Sequence, residues 1–283
     1  MNKNTPLILI RGGGDLASGV AIRLHRAGLN LLITENPQPL AVRRQVSFAE
    51  AVYQGKYTVE NVTARLAPSL QDALGIILRR EIPVLIDPTC EMILSSQPPS
   101  CTAPSFPFPL AIIDARMTKR PPDLGLEIAQ LVIGLGPGFI AGENCHAAIE
   151  TNRGHFLGRV IWDGAPEADT GVPGAVARVQ NDRVLRSPTD GLFQTQAEIG
   201  DQVKKGQVIA AVDGQTIIAA VDGILRGLLH DGLQVQRGLK VGDIDPRGDP
   251  RFVTLVSEKS LAIGGGVLES LLTLPDVRKR LWN

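Results

Sequence analysis

An α/β fold, followed by an all-β domain and a C-terminal helix, is what this sequence predicts, on three observations. Short apolar runs end repeatedly in an acidic residue or a glycine turn, the pattern of strands buried on both faces of a parallel sheet. A stretch in the C-terminal half repeats itself at a fixed offset. Thirty glycines and twenty prolines stand beside only 4% aromatics, which makes a turn-rich chain with a core of Val, Ile, Leu and Ala. The 283 residues are 43% hydrophobic, enough for two cores. Twenty-nine basic and 29 acidic side chains cancel, so neither nucleic acid nor an anionic membrane is expected as the main partner.

Taken in order, the apolar run from Leu7 reaches Arg11 and is followed at once by Gly12, Gly13, Gly14 and Asp15. Ala17, Val20, Leu24 and Ala27 then recur at helical spacing. A strand, a glycine turn and a helix in that order give G-x-G-x-x-A its physical meaning: tight turning, close backbone approach to a phosphate and free N–H groups at a helix N-terminus. Gly12, Gly14 and Ala17 take the three fingerprint positions, which makes the domain Rossmann-like and doubly wound. A second strand over 31–34 ends in Glu35, placed to accept a ribose hydroxyl. Arg43 and Arg44 follow, residues able to hold phosphate oxygens bidentately. Ser47-Phe-Ala-Glu50 reads as a capping box opening a short helix, and Ser69 as the cap of a helix over 70–80.

Further strands are expected at 83–86, ending in Asp87; at 110–113, ending in Asp114 with Arg116 close behind; and at 131–133, leading into a second glycine loop containing Gly136 and Gly138. The carboxyl ends of parallel strands share one edge, so Glu35, Asp87, Asp114, Arg116 and both glycine loops should line one cleft. The proline- and serine-rich stretch over 89–109 reads as a loop or lid beside it. Beyond the second loop, Cys145, His146, Glu150 and His155 crowd into a short span. A thiol there suits sulfur or selenium handling, nucleophilic attack or a soft metal. Cys145, His146 and Glu150 are the candidate catalytic residues, although strand neighbours point to opposite faces. No closed zinc site is expected, since C-x-x-C does not occur.

Residues 188–213 align with 220–245 at an offset of 32 without a gap, and Asp190, Gly191, Gly200, Gln202, Val203, Gly206 and Asp213 meet identical partners. Each half reads as short β-branched runs separated by Asp-Gly or other glycine turns. The wording Ser187-Pro-Thr-Asp-Gly191 with Ile199-Gly-Asp-Gln-Val-Lys-Lys-Gly-Gln-Val208 resembles the barrel-sandwich hybrid of biotinyl and lipoyl domains. The expected carrier hairpin holds Asp213-Gly214-Gln215 and no lysine, so no biotin or lipoyl attachment is expected. The predicted boundaries are 1–160 for the nucleotide- or cofactor-binding domain, 175–256 for the repeat domain and 257–283 for a helical segment returning to one of them. The glycine run at 264–266 is expected to serve close packing.

Three cysteines do not make a disulfide framework. The apolar stretch near the N-terminus is too short for a signal-peptide core, and no run approaches the roughly 20 apolar residues of a membrane span. A cytoplasmic protein is expected.

The segments Ile10-Arg-Gly-Gly-Gly-Asp-Leu-Ala-Ser-Gly19, Ala41-Val-Arg-Arg44 with Ser47-Phe-Ala-Glu-Ala-Val-Tyr53, Gly134-Leu-Gly-Pro-Gly-Phe139 with Cys145-His-Ala-Ala-Ile-Glu-Thr151, His155-Phe-Leu-Gly-Arg-Val160 and Leu261-Ala-Ile-Gly-Gly-Gly-Val-Leu-Glu269 together resemble the selenium-dependent molybdenum hydroxylase system proteins of the YqeB family. That family is similar to xanthine dehydrogenase accessory factors. The resemblance implies an accessory protein that binds molybdenum cofactor or its nucleotide form and aids its selenation, sulfuration or insertion into a molybdenum hydroxylase apoenzyme. Combined with the residues, it places a pterin phosphate or dinucleotide tail on Gly12, Gly13, Gly14 and Asp15 with the arginines, and Cys145 near the metal-dithiolene end. Two alternatives stay open: an NAD(P)-dependent oxidoreductase, motivated by the glycine fingerprint and Glu35, and a scaffold that docks a hydroxylase subunit through the β repeat. Homo-oligomerisation is also open.

Overall fold

Leu7–Arg11, every residue buried, forms strand β1 in the middle of a nine-stranded sheet. The computed structural model describes residues 6–95, 106–169 and 182–281. It separates the chain into one unit drawn from Met1–Pro39, Phe48–Asp169 and Val256–Asn283 and a second drawn from Leu40–Ser47 and Thr170–Leu255. After β1 come helix α1 (Asp15–Arg26), β2 (Asn30–Glu35), α2 (Glu50–Gln54), β3 (Lys56–Val59), β4 (Val62–Leu66), α3 (Leu70–Leu78), β5 (Ile82–Ile86), α4 (Glu91–Leu94), β6 (Ala111–Asp114), β7 (Leu131–Leu135), β8 (Ala147–Ile149) and β9 (Val160–Ile161). The strand order is β3-β4-β5-β2-β1-β6-β7-β8-β9. The seven inner strands run parallel, and β3 and β9 are antiparallel to their neighbours at the two edges. Ser69 caps α3 as expected, its Oγ accepting the Asp72 N–H at 3.2 Å. The capping box at Ser47 does not form: the N-cap of α2 is Ala49, and the Ser47 hydroxyl donates to the Arg43 carbonyl instead.

The second unit comprises β10 (Val184–Arg186), β11 (Gly191–Thr195), β12 (Gln202–Val203), β13 (Val208–Val212), β14 (Gln215–Ile218), β15 (Gly223–Leu228), β16 (Gln234–Val235), β17 (Lys240–Asp245) and α5 (Arg251–Thr254). They form two four-stranded sheets, β10-β17-β15-β12 and β14-β13-β11-β16, over a core that includes Phe193, Ile209, Leu225, Leu228 and Ile244. Each repeat lends its two-residue strand to the other, β12 pairing with β15 and β16 with β11, so neither half closes alone. Leu40–Ser47 joins this unit from the N-terminal half of the chain. The Leu228 N–H donates to the Val42 carbonyl at 2.9 Å, and Gly227 leaves the room Val42 needs. On β15 and β17, Arg226 bridges the wholly buried carboxylates of Asp243 and Asp245, with Arg183 and Lys240 also on Asp243. Burial pushes the Asp243 carboxyl upward, but these cations outweigh it and hold the group below its ordinary value.

The chain then returns to the first unit with α6 (Glu258–Thr273) and α7 (Pro275–Leu281). Ser257 caps α6 through the Ser260 N–H at 3.1 Å. Two of the three glycines of the run pack closely, Gly264 on the Val20 backbone of α1 and Gly266 on the Gly158 carbonyl, while Gly265 faces open space. Gly19 of α1 leaves no room for a β-carbon against Ser260.

The predicted fold class is corrected on three counts. The first sheet is mixed, and its winding is incomplete: no α-helix forms between β6 and β7 or between β7 and β8, and α6 from the end of the chain packs on β7 and β8. The helical segment over 257–283 is therefore part of the first unit. The second unit is two separate antiparallel sheets with a recruited segment and a buried ionic network, and does not stand as a biotinyl- or lipoyl-type hybrid. Of the expected loop over 89–109, residues 96–105, which include Cys101, lie outside the described residues, as does the start of the predicted second domain, 175–181.

Candidate functional site

Arg11, Glu35 and Asp114 end β1, β2 and β6, so the parallel register brings them to one sheet edge. Gly12 turns there with φ +91°, and a β-carbon on it would lie 3.2 Å from the Arg116 Cα, so only glycine fits. The Gly13 carbonyl accepts the Ala49 N–H at 2.8 Å and the Ser18 hydroxyl at 3.1 Å. Its N–H donates to Glu35 Oε2 at 2.6 Å, while Oε1 takes the Asn36 N–H at 2.7 Å. The acid expected to hold a ribose therefore holds the glycine turn. Gly14 differs from both neighbours: it is the N-cap of α1, no side chain caps the helix there, and a β-carbon on it would meet open space. Asp15 faces α6, where its Oδ1 accepts the Ser260 hydroxyl at 2.9 Å.

Asp114 and Arg116 belong to a four-membered charge cluster. Arg116 Nε and Nη2 reach the two Asp114 oxygens at 3.0 and 2.6 Å, and Arg11 Nη1 reaches Oδ2 of the same carboxylate at 3.1 Å. The fourth member, Asp123, is bound by both arginines. Beside the cluster, Asp87 is buried, its Oδ2 accepting the Met92 N–H at 3.0 Å. Desolvation is the largest influence on Asp87 and raises its carboxyl above the ordinary value. Cys90 is fully buried with its Sγ 3.6 Å from the Thr34 hydroxyl.

The second glycine loop closes onto the same edge. Gly136 leaves no space for a β-carbon against Thr151, and one on Gly138 would come within 2.5 Å of the Arg120 carbonyl. The Thr151 side chain fills the approach to Gly136, and the Arg120 backbone that to Gly138. Cys145 has no exposed surface and packs with Val132, Phe139, Ala141 and Ala148. Burial pushes its thiol up to about 11, so it stays protonated at neutral pH and has the setting of a packing residue. The His146 ring accepts the Val132 N–H at Nδ1, 2.9 Å, and burial lowers its pKa. The Glu150 oxygens take the N–H groups of Asn152 and Glu167 at 2.6 and 2.7 Å. His146 and Glu150 thus accept from different backbone N–H groups, and Cys145 sits in an apolar shell. Arg43 and Arg44 lie in the second unit, where their guanidinium groups donate to the carbonyls of Phe252, Leu255 and Leu228.

The edge thus unites the first glycine turn, Glu35, Asp114 and Arg116. Sequence reasoning missed Arg11 and Asp123. The signal for Arg11 was a charged side chain ending an apolar strand directly before three glycines; for Asp123 there was none, since it lies in a loop with no regular pattern. Among the described residues no group of three or more His, Cys, Asp or Glu is placed to hold a metal ion, and no single helix is long and apolar enough to cross a membrane.

No protein-family model matches the chain. It is 46% identical over 268 residues to a protein of Escherichia coli (strain K12) whose name is uncharacterized protein YqeB; the match takes in 95% of this chain and 48% of that protein. The chain has a homologue of the YqeB name and spans about half its length. Similar solved structures include an aspartoacylase family protein from Mesorhizobium loti (12% identical, 85% of each chain, TM-score 0.26). The apo ectoine utilization protein EutE from Ruegeria pomeroyi gives 12% identity, 85% and 86% coverage, and a TM-score of 0.26. A succinylglutamate desuccinylase/aspartoacylase from Rhodobacter sphaeroides gives 14%, 85% and 86%, and 0.26. Likenesses this loose assign no activity.

Proposed function

We propose that this protein is a cytoplasmic accessory factor of a molybdenum hydroxylase system, holding the phosphate-bearing end of molybdenum cofactor, or of its dinucleotide form, for hand-over to the apoenzyme. The observation that carries the reading is the open N-terminal turn of α1. Gly14 caps the helix without a side chain and faces open space, leaving N–H groups and the positive end of the helix dipole for an anion. Arg11 and Arg116 stand next to the same turn. The resemblance of the glycine, arginine and Cys-His segments to hydroxylase system proteins supplies the biological process.

The phosphate end of the group fits these residues. The metal end finds no thiolate at Cys145, whose burial keeps it protonated, so the reading rests on binding and hand-over. When bound, the cofactor supplies the metal centre that the client enzyme uses; this chain's residues bind and orient its anionic end. Glu35, engaged with Gly13, weighs against a nicotinamide cofactor.

The test is anaerobic purification of the full chain from a host that makes molybdenum cofactor, with mass spectrometry of what travels with it. Gly14 has φ −69°, which any residue adopts, so Gly14→Leu should fold while filling the space before α1. A pterin present with the natural chain and lost with Gly14→Leu supports the proposal. Binding of NAD(H) without pterin favours an oxidoreductase, and binding of neither favours a docking scaffold.

A further inference from the structure

Asp123 sits on the loop between β6 and β7 with its side chain 54% exposed, yet two guanidinium groups grip it. Arg11 donates to Oδ1 at 2.5 Å and to Oδ2 at 3.1 Å. Arg116 donates to the same oxygens at 2.8 and 3.1 Å. Two planar forks converging on one carboxylate form a geometry that recognises oxyanions, phosphate above all, because phosphate offers more acceptor positions and more charge than a carboxylate. The arginines differ in setting, with Arg11 side-chain exposure at 1% and Arg116 at 22%. Asp114, fixed at the end of β6, neutralises one of them. Without Asp123 the cluster would hold two cations and one anion beside the Gly12 turn. Arg11 Nε, moreover, is buried without a hydrogen-bond partner among the described residues.

The loop that carries Asp123 is largely exposed and strained at two positions. From Thr118 to Pro121 and at Asp123 and Gly125 it is exposed, and Met117 and Lys119 hold left-handed φ of 55° and 58°, conformations that cost non-glycine residues energy. The two arginines draw Asp123's carboxyl well below the ordinary range, so it stays a charged occupant.

We infer that Arg11 and Arg116 form an oxyanion cradle at the glycine turn and that Asp123 is its internal occupant, a latch displaced by a phosphate monoester. The inference rests on the reading of this edge as the place where the phosphate end of a cofactor binds, and adds how access to it is controlled.

Titrating inorganic phosphate into the full chain by calorimetry tests it. Asp123→Asn keeps the shape of the latch without its charge and should bind phosphate at least tenfold more tightly than the natural chain, and adding Arg116→Gln should abolish the gain. Equal affinities in Asp123→Asn and the natural chain would overturn the latch. A second readout needs no variant: trypsin cleavage after Lys119 should accelerate several-fold in phosphate over chloride at equal ionic strength, and an unchanged rate counts against displacement. Tighter phosphate binding by Asp123→Asn in a protein that never carries pterin keeps the latch and removes the proposed function. Pterin binding with no effect of Asp123→Asn on phosphate does the reverse.

Discussion

Replacing Glu35 by alanine separates two roles for the acid that ends β2. Its side chain has little exposure, and its Oε2 holds the N–H of Gly13, a buried residue, at 2.6 Å. Its other oxygen holds the N–H of Asn36, an exposed residue that water can serve after the substitution. The cost is therefore one buried hydrogen bond to a charged acceptor, about 1.5–3 kcal/mol. At about 2–4 °C per kcal/mol for chains approaching this size, the melting midpoint should fall by roughly 3–12 °C. Glu35→Gln, whose amide oxygen can still accept from Gly13, should lose about half as much. Thermal melts by circular dichroism, run with and without NAD(H), provide the assay. A Glu35→Ala midpoint within 1 °C of the natural chain would refute the account, because the carboxylate would then not be holding the turn. Loss of NAD(H) affinity at unchanged stability would restore the ribose role.

Gly19 and Gly265 predict opposite signs for one substitution. Gly19→Ala should destabilise by about 1–3 kcal/mol in urea titration, because its β-carbon would press α1 off Ser260 of α6. Gly265→Ala, with open space at that position, should stabilise by up to about 1 kcal/mol through helix propensity. In a Cys101→Ser chain, Cys90 and Cys145 should resist a thiol reagent at pH 8 and both react in denaturant, since both are buried with raised pKa. Rapid native-state labelling of either would show that the burial is not kept in solution. Asp87, raised by desolvation, binds its proton more readily folded than unfolded, so its contribution is most favourable below the ordinary carboxyl pKa and is lost as pH rises through the folded value. Asp87→Asn should therefore exceed the natural chain in stability at pH 7, with the gap closing as the pH falls towards about 4; a gap that does not depend on pH would contradict the desolvation.

Much of the first sheet was legible because β1, β2, β5, β6 and β7 are apolar runs long enough to stand out against their turns. The glycine turn and α1 followed from spacing alone. The β3–β4 hairpin was missed for a local reason: it turns at Glu60 and Asn61, both with positive φ, without the glycine that usually marks such a turn. The roles of Glu35, Arg43 and Arg44 were missed for a non-local one. Their residue types suit sugar and phosphate, but which partner wins depends on what the fold brings within 3 Å. For Glu35 that is the N–H of Gly13. For Arg43 and Arg44 it is carbonyls contributed some two hundred residues away along the chain. Cys145 shows the same limit: a thiol reads as chemistry until its apolar shell is known.

The last helices carry more of the first unit than their position in the sequence suggests. With no helical crossover between β6 and β7 or β7 and β8, α6 covers β7 and β8, and its Ser260 holds Asp15 at the start of α1. Ile263, Val267, Leu271, Val277 and Leu281 of α6 and α7 are each at most 2% exposed. At about 1.5–3 kcal/mol for each buried side chain, they contribute on the order of 10 kcal/mol, an upper estimate. That is comparable with the roughly 5–15 kcal/mol that separates most folded chains from unfolded ones. A chain ended after Leu255 keeps every strand of the nine-stranded sheet, yet its first unit should not fold stably. Hydrogen exchange in β1 and β2 should then run at unprotected rates, while β13 and β17 of the second unit stay protected. Protection of β1 equal to that in the full chain would mean that α6 only decorates a sheet already stable by itself, and the glycine turn would owe nothing to it.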